Sequence, residues 1–548
     1  MAITEEKLLD AAIRCGLIEG YQLEALRLEA RKKRYPLMAV VQAHFRFPMA
    51  ILYQAIAEQN GLEYVQLHHW DVETTLLKKI PPNLLRRKQL LPMQQAGRRC
   101  LVLADPFDRA AIDSVQRLLG QALPIVLTDA ASLSLAIYHL LAPPAESNTP
   151  MEETDLVMLL DQIIREAYLN HSSDIHLLAE KTGLRVRLRV DGKLRDFPFK
   201  TDRQTALSLI SRVKVLSELD IAEQRQPQDG GFSYHLAAPI DCRFNIRVAT
   251  VPIREGERVT MRLLDSESVA LSLTDLGMLE ADLLRFKQAI NKPYGLVLLT
   301  GPTGSGKSTT LCAALQEINH PDINIMTVEN PIEYVIEGVS QVQTSTKVSF
   351  ASALRSFLRH DPDVLMVGEI RDHETADVAL KAAMTGHRVF STLHTNNAVS
   401  AVTRLADIGC EPFLIASTVN AVIAQRLVRR LCAHCREEKP VSEQVAQALG
   451  IETGLSLYHA VGCALCQQTG FRGRLGLFET LWFDDELSRM VAQGANEEAL
   501  LSAAGERLQF MWQDGLEKVL LGLTTLDELR SVVVYQPQST RKSEVLSG

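Results

Sequence analysis

Residues 295–310, GLVLLTGPTGSGKSTT, decide how the chain is read. The apolar run Gly295–Thr300 passes directly into Gly301, Pro302, Thr303, Gly304, Ser305, Gly306, Lys307, Ser308 and Thr309. A helix-forming stretch follows, so this GxxxxGKS pattern has the strand, loop and helix context that makes it meaningful. Each residue type has a task there. Glycines let successive N–H groups curl around a phosphate, the helix N-terminus adds the positive end of its dipole, Lys307 reaches the terminal phosphates, and Ser308 can ligate Mg²⁺. A glycine-rich turn matching by chance is the alternative, and the complete match with the right flanks argues against it.

Working outward, a second apolar strand, DVLMVGE, ends in Gly368-Glu369. An acidic residue at such a strand end faces the metal or the attacking water. Gly368 stands where aspartate is usual, which moves that duty to Glu369. Between the two strands lies TVENPIE, whose Glu329 and Glu333 could act as base or outer metal ligands. Asn330-Pro331 within it also makes a good turn. His387 and His394 flank a short strand further on; spacing alone leaves them open between core residues and sensors. Before the loop, Arg243, Arg247 and Arg262 lie on alternating strands. Phosphoryl transfer needs a cation to neutralise charge in the transition state, but arginine on a wet strand face ordinarily serves solubility.

Four of the nine cysteines form two CxxC pairs, Cys432/Cys435 and Cys463/Cys466. Each pair can place two thiolates on one metal. The stretch 436–462 between them exceeds the roughly 15–20 residues of ordinary zinc ribbons, but loop-closure cost grows only logarithmically with length. A redox dithiol is the competing reading. With no open fourth position implied, structural Zn²⁺ is expected.

The full chain has 548 residues, 46% apolar and 23% charged, with a net charge of -8. It can bury several cores, and an acidic balance disfavours electrostatic nucleic-acid binding. No long apolar run marks a membrane span and no signal peptide is recognised, so a cytoplasmic protein is expected. The domain reading is 1–60 helical; 61–141 a small α/β module; 142–153 a Pro/Ser/Glu-rich linker; 154–268 an α+β domain; 269–430 a parallel α/β core; 431–480 the cysteine insert; 481–535 helical; and 536–548 a disordered tail. Within the first segment Leu9, Ile13 and Leu23 are answered by Leu37, Val41 and Ile51, a match that a repeat or helical periodicity alone would produce.

Taken together, GPTGSGKSTT, TVENPIEY, LRHDPDVLMVGEIRD, TGHRVFSTLHTN, AQRLVRRLC and GCALCQQTGFRGRLGLFE resemble the secretion ATPase superfamily, within it the GspE/PulE-type ATPases of type II secretion and type IV pilus assembly. The likeness covers about 150–535, where SSDIHLLAEKTGLRVRLRVDG also resembles that family's second N-terminal domain. It implies a RecA-like P-loop ATPase core, a preceding α+β (PAS-like) domain, a helical and α/β N-terminal module and a tetracysteine zinc insert. Residues Gly301 to Thr309 then resemble the Walker A loop, Glu329 and Glu333 the Asp box, Glu369 the Walker B glutamate, and His387 and His394 the His box. Arg247 and Arg262 fall where the family places phosphate-contacting arginines. Asn330 departs from the family's aspartate.

The resemblance further implies a homo-hexamer that hydrolyses ATP with Mg²⁺, sits peripherally at the inner membrane and docks on its platform proteins through the N-terminal module. The tetracysteine insert argues for an assembly motor over a retraction one, and GERVTMRLLD, TNNAVSAVTRLADIGCEPFLIAS and AQRLVRRLC look closer to the type II secretion branch, where the motor assembles a pseudopilus, with type IV pilus extension as the alternative. Some relatives bind cyclic di-GMP through an RLG-type motif; here Pro36 takes the glycine's place in Arg34-Tyr35-Pro36, which argues against it. Two rivals remain, a DNA-translocating ATPase and a non-hydrolysing nucleotide-gated adaptor. The acidic balance speaks against the first.

Overall fold

A computed structural model describes residues 3–67, 71–95, 97–141, 153–181, 183–197, 202–238, 240–264 and 271–534. The expected linker, apart from Glu153, and the expected disordered tail lie outside them. The chain divides into two compact units, Met1–Asp265 with Gly462–Thr469, and Ser266–Val461 with Gly470–Gly548.

The first unit opens with four helices, Glu5–Arg14, Leu23–Lys33, Leu37–Phe45 and Ala50–Gln59, so the two similar stretches of sequence each form a helix pair. A mixed sheet follows, in the order Glu63–Tyr64, Ile125–Leu127, Arg98–Leu103, Leu90–Gln95, Asp71–Val72. Its crossover helix Arg109–Leu119 is fixed at the start by Asp108, which accepts from the Ala111 N–H at 3.0 Å. Beyond residue 152 comes an antiparallel six-stranded sheet ordered Lys193–Asp196, Gly183–Val190, Asp174–Glu180, Gly256–Leu264, Cys242–Ile253, Gln228–Leu236. Strict alternation in Cys242–Val251 sends Phe244, Ile246 and Val248 into a core shared with helices Glu153–Leu169 and Arg203–Leu216. Its other face is arginine-rich. Arg247 and Arg262 sit directly opposite one another across two strands.

The second unit is built on an eight-stranded sheet: Ser340–Gln343, Ile325–Glu329, Val364–Val367, Arg388–Leu393, Gly295–Thr300, Val419–Leu431, Phe471–Trp482, Leu508–Gln509. The first six strands are parallel, as the alternating strand and helix pattern predicts. Leu296 and Leu298 pack to one side of the central strand and Val297 and Leu299 to the other, so helices cover both faces and the strand is buried throughout. The last two strands are antiparallel. Strand Phe471–Trp482 lies mostly within the expected cysteine insert 431–480 and belongs to the core sheet instead: its sequence alternates too weakly to read as a strand, and pairing with Val419–Leu431 decides it. Helices Met511–Leu520 and Leu526–Val532 then close the unit. A fully buried pair, Lys518 Nζ to Asp514 Oδ2 at 2.6 Å, ties the first of them down, and the same ammonium donates to the Gly476 carbonyl at 2.8 Å.

Candidate functional site

Parallel strands bring their C-terminal ends to one edge of the sheet, and the sequence-predicted residues collect there. The loop after Gly295–Thr300 can form only with glycine at its narrow points. Gly301 has φ +143° and a Cβ there would lie 2.5 Å from the Gln425 carbonyl; Gly306 has φ +89° and a Cβ would lie 2.8 Å from Gln425 Nε2. Gln425 thus forms the floor of the loop, and it also accepts from Thr310 Oγ1 at 2.9 Å. Sequence reasoning missed this residue because it arrives from a strand more than a hundred positions away.

Lys307 is buried and folds back to donate to the Gly301 and Pro302 carbonyls at 2.8 and 3.0 Å. Burial pulls its pKa down, while the charges of Glu369 and Glu333 act in the opposite direction. Those two carboxylates therefore share its electrostatic neighbourhood. Two polar atoms here are buried without partners, Ser305 Oγ in the loop and Arg426 Nη1 on the strand beneath. A donor set of glycine amides, a lysine, an orphaned hydroxyl and an orphaned guanidinium nitrogen fits a polyphosphate, and Ser308 and Thr309 follow at the start of the helix.

Glu369 stands at the end of Val364–Val367, ion-paired to Arg371 through Oε1 and facing His394 Nε2 at 3.4 Å through Oε2. The adjacent Gly368 has a steric reason: a Cβ would come within 3.3 Å of the Val328 carbonyl and 3.4 Å of Glu329 Cα, so an aspartate there would crowd the neighbouring strand. Glu329 is buried, and its Oε1 accepts from Thr327 Oγ1 at 2.7 Å and Gln341 Nε2 at 2.9 Å. Burial raises its pKa above the ordinary carboxylate range, against those two hydrogen bonds. Glu333 is exposed at the same edge, after the turn at Asn330-Pro331. The two histidines separate. His394 follows the C-terminal end of Arg388–Leu393 and joins Glu369, whereas His387 precedes the other end and bonds the Ala382 carbonyl through Nδ1 at 3.0 Å. His387 makes a helix-end contact, at the opposite end of that strand from His394. Arg371, which the sequence reading passed over, is the nearest cation to the Walker B-like glutamate.

Arg243 and Arg247 project from the exposed face of the first unit's antiparallel sheet, beside Arg262. Arg262 Nε donates to Asp174 Oδ1 at 2.9 Å. Two guanidinium groups directly across a strand pair repel, an arrangement that a bound anion relieves.

The four cysteines meet as their spacing predicts. Their sulfurs lie within 4.8 Å of one another, and Cys463 Sγ to Cys466 Sγ is 3.8 Å. Tetrahedral ligation at about 2.3 Å per Zn–S bond sets sulfurs ~3.8 Å apart, so this all-thiolate set fits a closed structural zinc site.

Comparison with known proteins bears on the whole arrangement. The family model described as Type II/IV secretion system protein matches residues 150–531, and an MshEN domain matches residues 60–147. The chain is 43% identical to Type II secretion system protein E of Pseudomonas aeruginosa over 80% of its own length and 88% of the relative's. It is 36% identical to the type IV pilus assembly ATPase PilB of Myxococcus xanthus over 95% of its length and 98% of the relative's. Among solved structures, the Legionella pneumophila ATPase DotB is similar at a TM-score of 0.52 and 22% identity, covering 71% of this chain and 97% of that one, a likeness of fold. Among the described residues no helix is long and apolar enough to cross a membrane.

Proposed function

The chain belongs to the Type II/IV secretion system protein family, and from that membership we propose that it is a Mg²⁺-dependent ATPase powering pseudopilus assembly for type II secretion. The observation that carries this is the meeting of Lys307, Glu369, Glu333 and His394 at one sheet edge beside a loop shaped for phosphate. Loop amides and Lys307 grip the β- and γ-phosphates. Ser308 holds Mg²⁺, whose charge would offset that building on the transferred group. Glu369 takes the proton of the attacking water once Arg371 releases it, and Glu329 and Glu333 would serve as outer carboxylates to a bound Mg²⁺. Arg247 and Arg262 supply positive charge from the antiparallel domain to a phosphate held by a neighbouring subunit in a homo-hexamer. Hydrolysis alters the angle between domains, and the N-terminal module passes that movement to inner-membrane platform proteins, which places the chain peripherally at that membrane. Cys432, Cys435, Cys463 and Cys466 hold structural Zn²⁺.

Type IV pilus extension is the second reading. The match to the pilus assembly ATPase runs over 95% of the chain, against 80% for the type II protein. Deleting the gene and restoring it on a plasmid separates them: loss of an exported enzyme from the medium with surface pili intact supports secretion, and loss of pili with export intact supports the pilus.

A further inference from the structure

Away from the nucleotide loop, the first unit encloses a cavity of about 510 Å³, within the size range of small-molecule sites. Helix Glu153–Leu169 offers Gln162 and Glu166 to it, one turn apart, with Asn170 another turn on. Opposite, Asp129 lines it from the loop after Ile125–Leu127; its Oδ1 accepts from the Ser132 N–H at 2.8 Å and its Oδ2 from Tyr64 Oη at 3.3 Å. The one nearby guanidinium lining the cavity, Arg195, donates to Gln467 Oε1 at 3.1 Å, and Gln467 in turn donates to Asn170 Oδ1 at 2.9 Å. Asn170 donates to Glu166 Oε2 at 3.3 Å. Buried Leu67, Leu188, Val190 and Phe197 supply an apolar flank.

One lining residue lacks a role in this wall. Gln54, on helix Ala50–Gln59, is only 7% exposed, and its amide has no hydrogen-bond partner among the described residues. Its amide faces the cavity, where its carbonyl can accept from a ligand's donor. Two carboxylates disfavour an anion, and the apolar flank suits a hydrocarbon stem. We propose that this cavity binds a small organic cation, an ammonium or guanidinium group on a short aliphatic stem, seated between Asp129 and Glu166 with the Gln54 carbonyl accepting a further hydrogen bond.

The surroundings of Glu166 give the site a pH signature. Burial, and then the charge of Asp129, push its carboxyl up to about 7, against Asn170 and the Arg165 charge. Arg165 itself is paired with Asp161, and Arg195, Asp196 and Tyr64 are the other ionisable groups lining the cavity. A cation binds the ionised form. Between pH 6 and 8 the ionised fraction rises about tenfold, and affinity should follow.

Isothermal titration of the full chain with agmatine and with putrescine tests this, with 1-butanol as the uncharged control. Saturable binding of either cation that tightens about tenfold from pH 6 to pH 8 is expected. Glu166→Gln should weaken it at least tenfold at pH 8 and flatten the pH dependence. Gln54→Leu should weaken it severalfold while circular dichroism and the melting temperature stay at wild-type values. The proposal is overturned if folded wild-type protein takes up neither cation saturably at pH 8, if 1-butanol binds as well, or if Glu166→Gln binds like wild type.

Discussion

At Glu369 two side chains, Arg371 and His394, share one carboxylate. Arg371 holds Oε1 and His394 faces Oε2, so the proposed general base is engaged on both oxygens. Arg371→Ala should therefore change steady-state phosphate release by severalfold while leaving ATP affinity within about twofold, because the side chain touches the base and not the phosphate loop. Arg426 carries the opposite expectation. Its orphaned Nη1 lies buried beside Lys307, so Arg426→Gln should weaken nucleotide binding about tenfold in an equilibrium titration, the worth of one charge-assisted contact. Glu166 makes a stability prediction that does not depend on any ligand. Its carboxyl sits at about 7 when folded against 4.5 for the ordinary group, so the folded state binds the proton more tightly. Stability from this group is complete below pH 4.5 and is lost as pH rises through 7. Glu166→Gln should then raise stability by about 1–3 kcal/mol at pH 8 relative to its effect at pH 4.5, measured by urea denaturation at the two values. Lys307, Ser308 and Glu369 of the candidate site could be picked from motif spacing because the first two open the helix after a strand and loop and the third follows a strand end. Gln425, Gln341 and Arg426 could not, since their roles come from contacts between strands that only the folded sheet brings together.

Elements show where local pattern suffices. Gly295–Thr300 is buried at every position because helices cover both faces, and its run Leu296–Leu299 reads directly as a buried parallel strand. Phe471–Trp482 is read less easily. It is an outer strand whose register is set by Val419–Leu431, and no alternation announces it. The buried pair between Lys518 and Asp514 fastens a helix to that strand through the Gly476 carbonyl and the Phe478 N–H. Lys518→Met should cost about 3–5 kcal/mol in chemical denaturation, since Asp514 would keep a buried charge without its partner; the double variant with Asp514→Leu should recover part of that loss. The cysteine knuckles were legible from spacing alone, despite the long stretch between them. Metal analysis of the purified chain should find about one zinc per chain, and Cys463→Ser should abolish it and lower the melting temperature.

On the scale of the whole molecule, the arginine face of the antiparallel sheet and the phosphate loop belong to two separate compact units. Composition indicated several domains and an acidic balance, and the six ordered motifs indicated the ATPase core. The sequence could not show that Arg247 and Arg262 face each other across a strand pair, because that depends on register. A supply of positive charge between subunits has a direct consequence. Mixing chains that carry Lys307→Ala with chains that carry Arg247→Ala and Arg262→Ala should restore part of the lost ATPase activity, whereas either alone should be at least tenfold below wild type. The central claim is hydrolysis by Glu369 of ATP held at Lys307. It is tested most directly by measuring ATP affinity and phosphate release side by side for wild type and Glu369→Gln. We predict affinities within about threefold of each other and turnover at least a hundredfold lower in the variant. Turnover within tenfold of wild type, or a wild-type chain with no affinity for ATP, would contradict it.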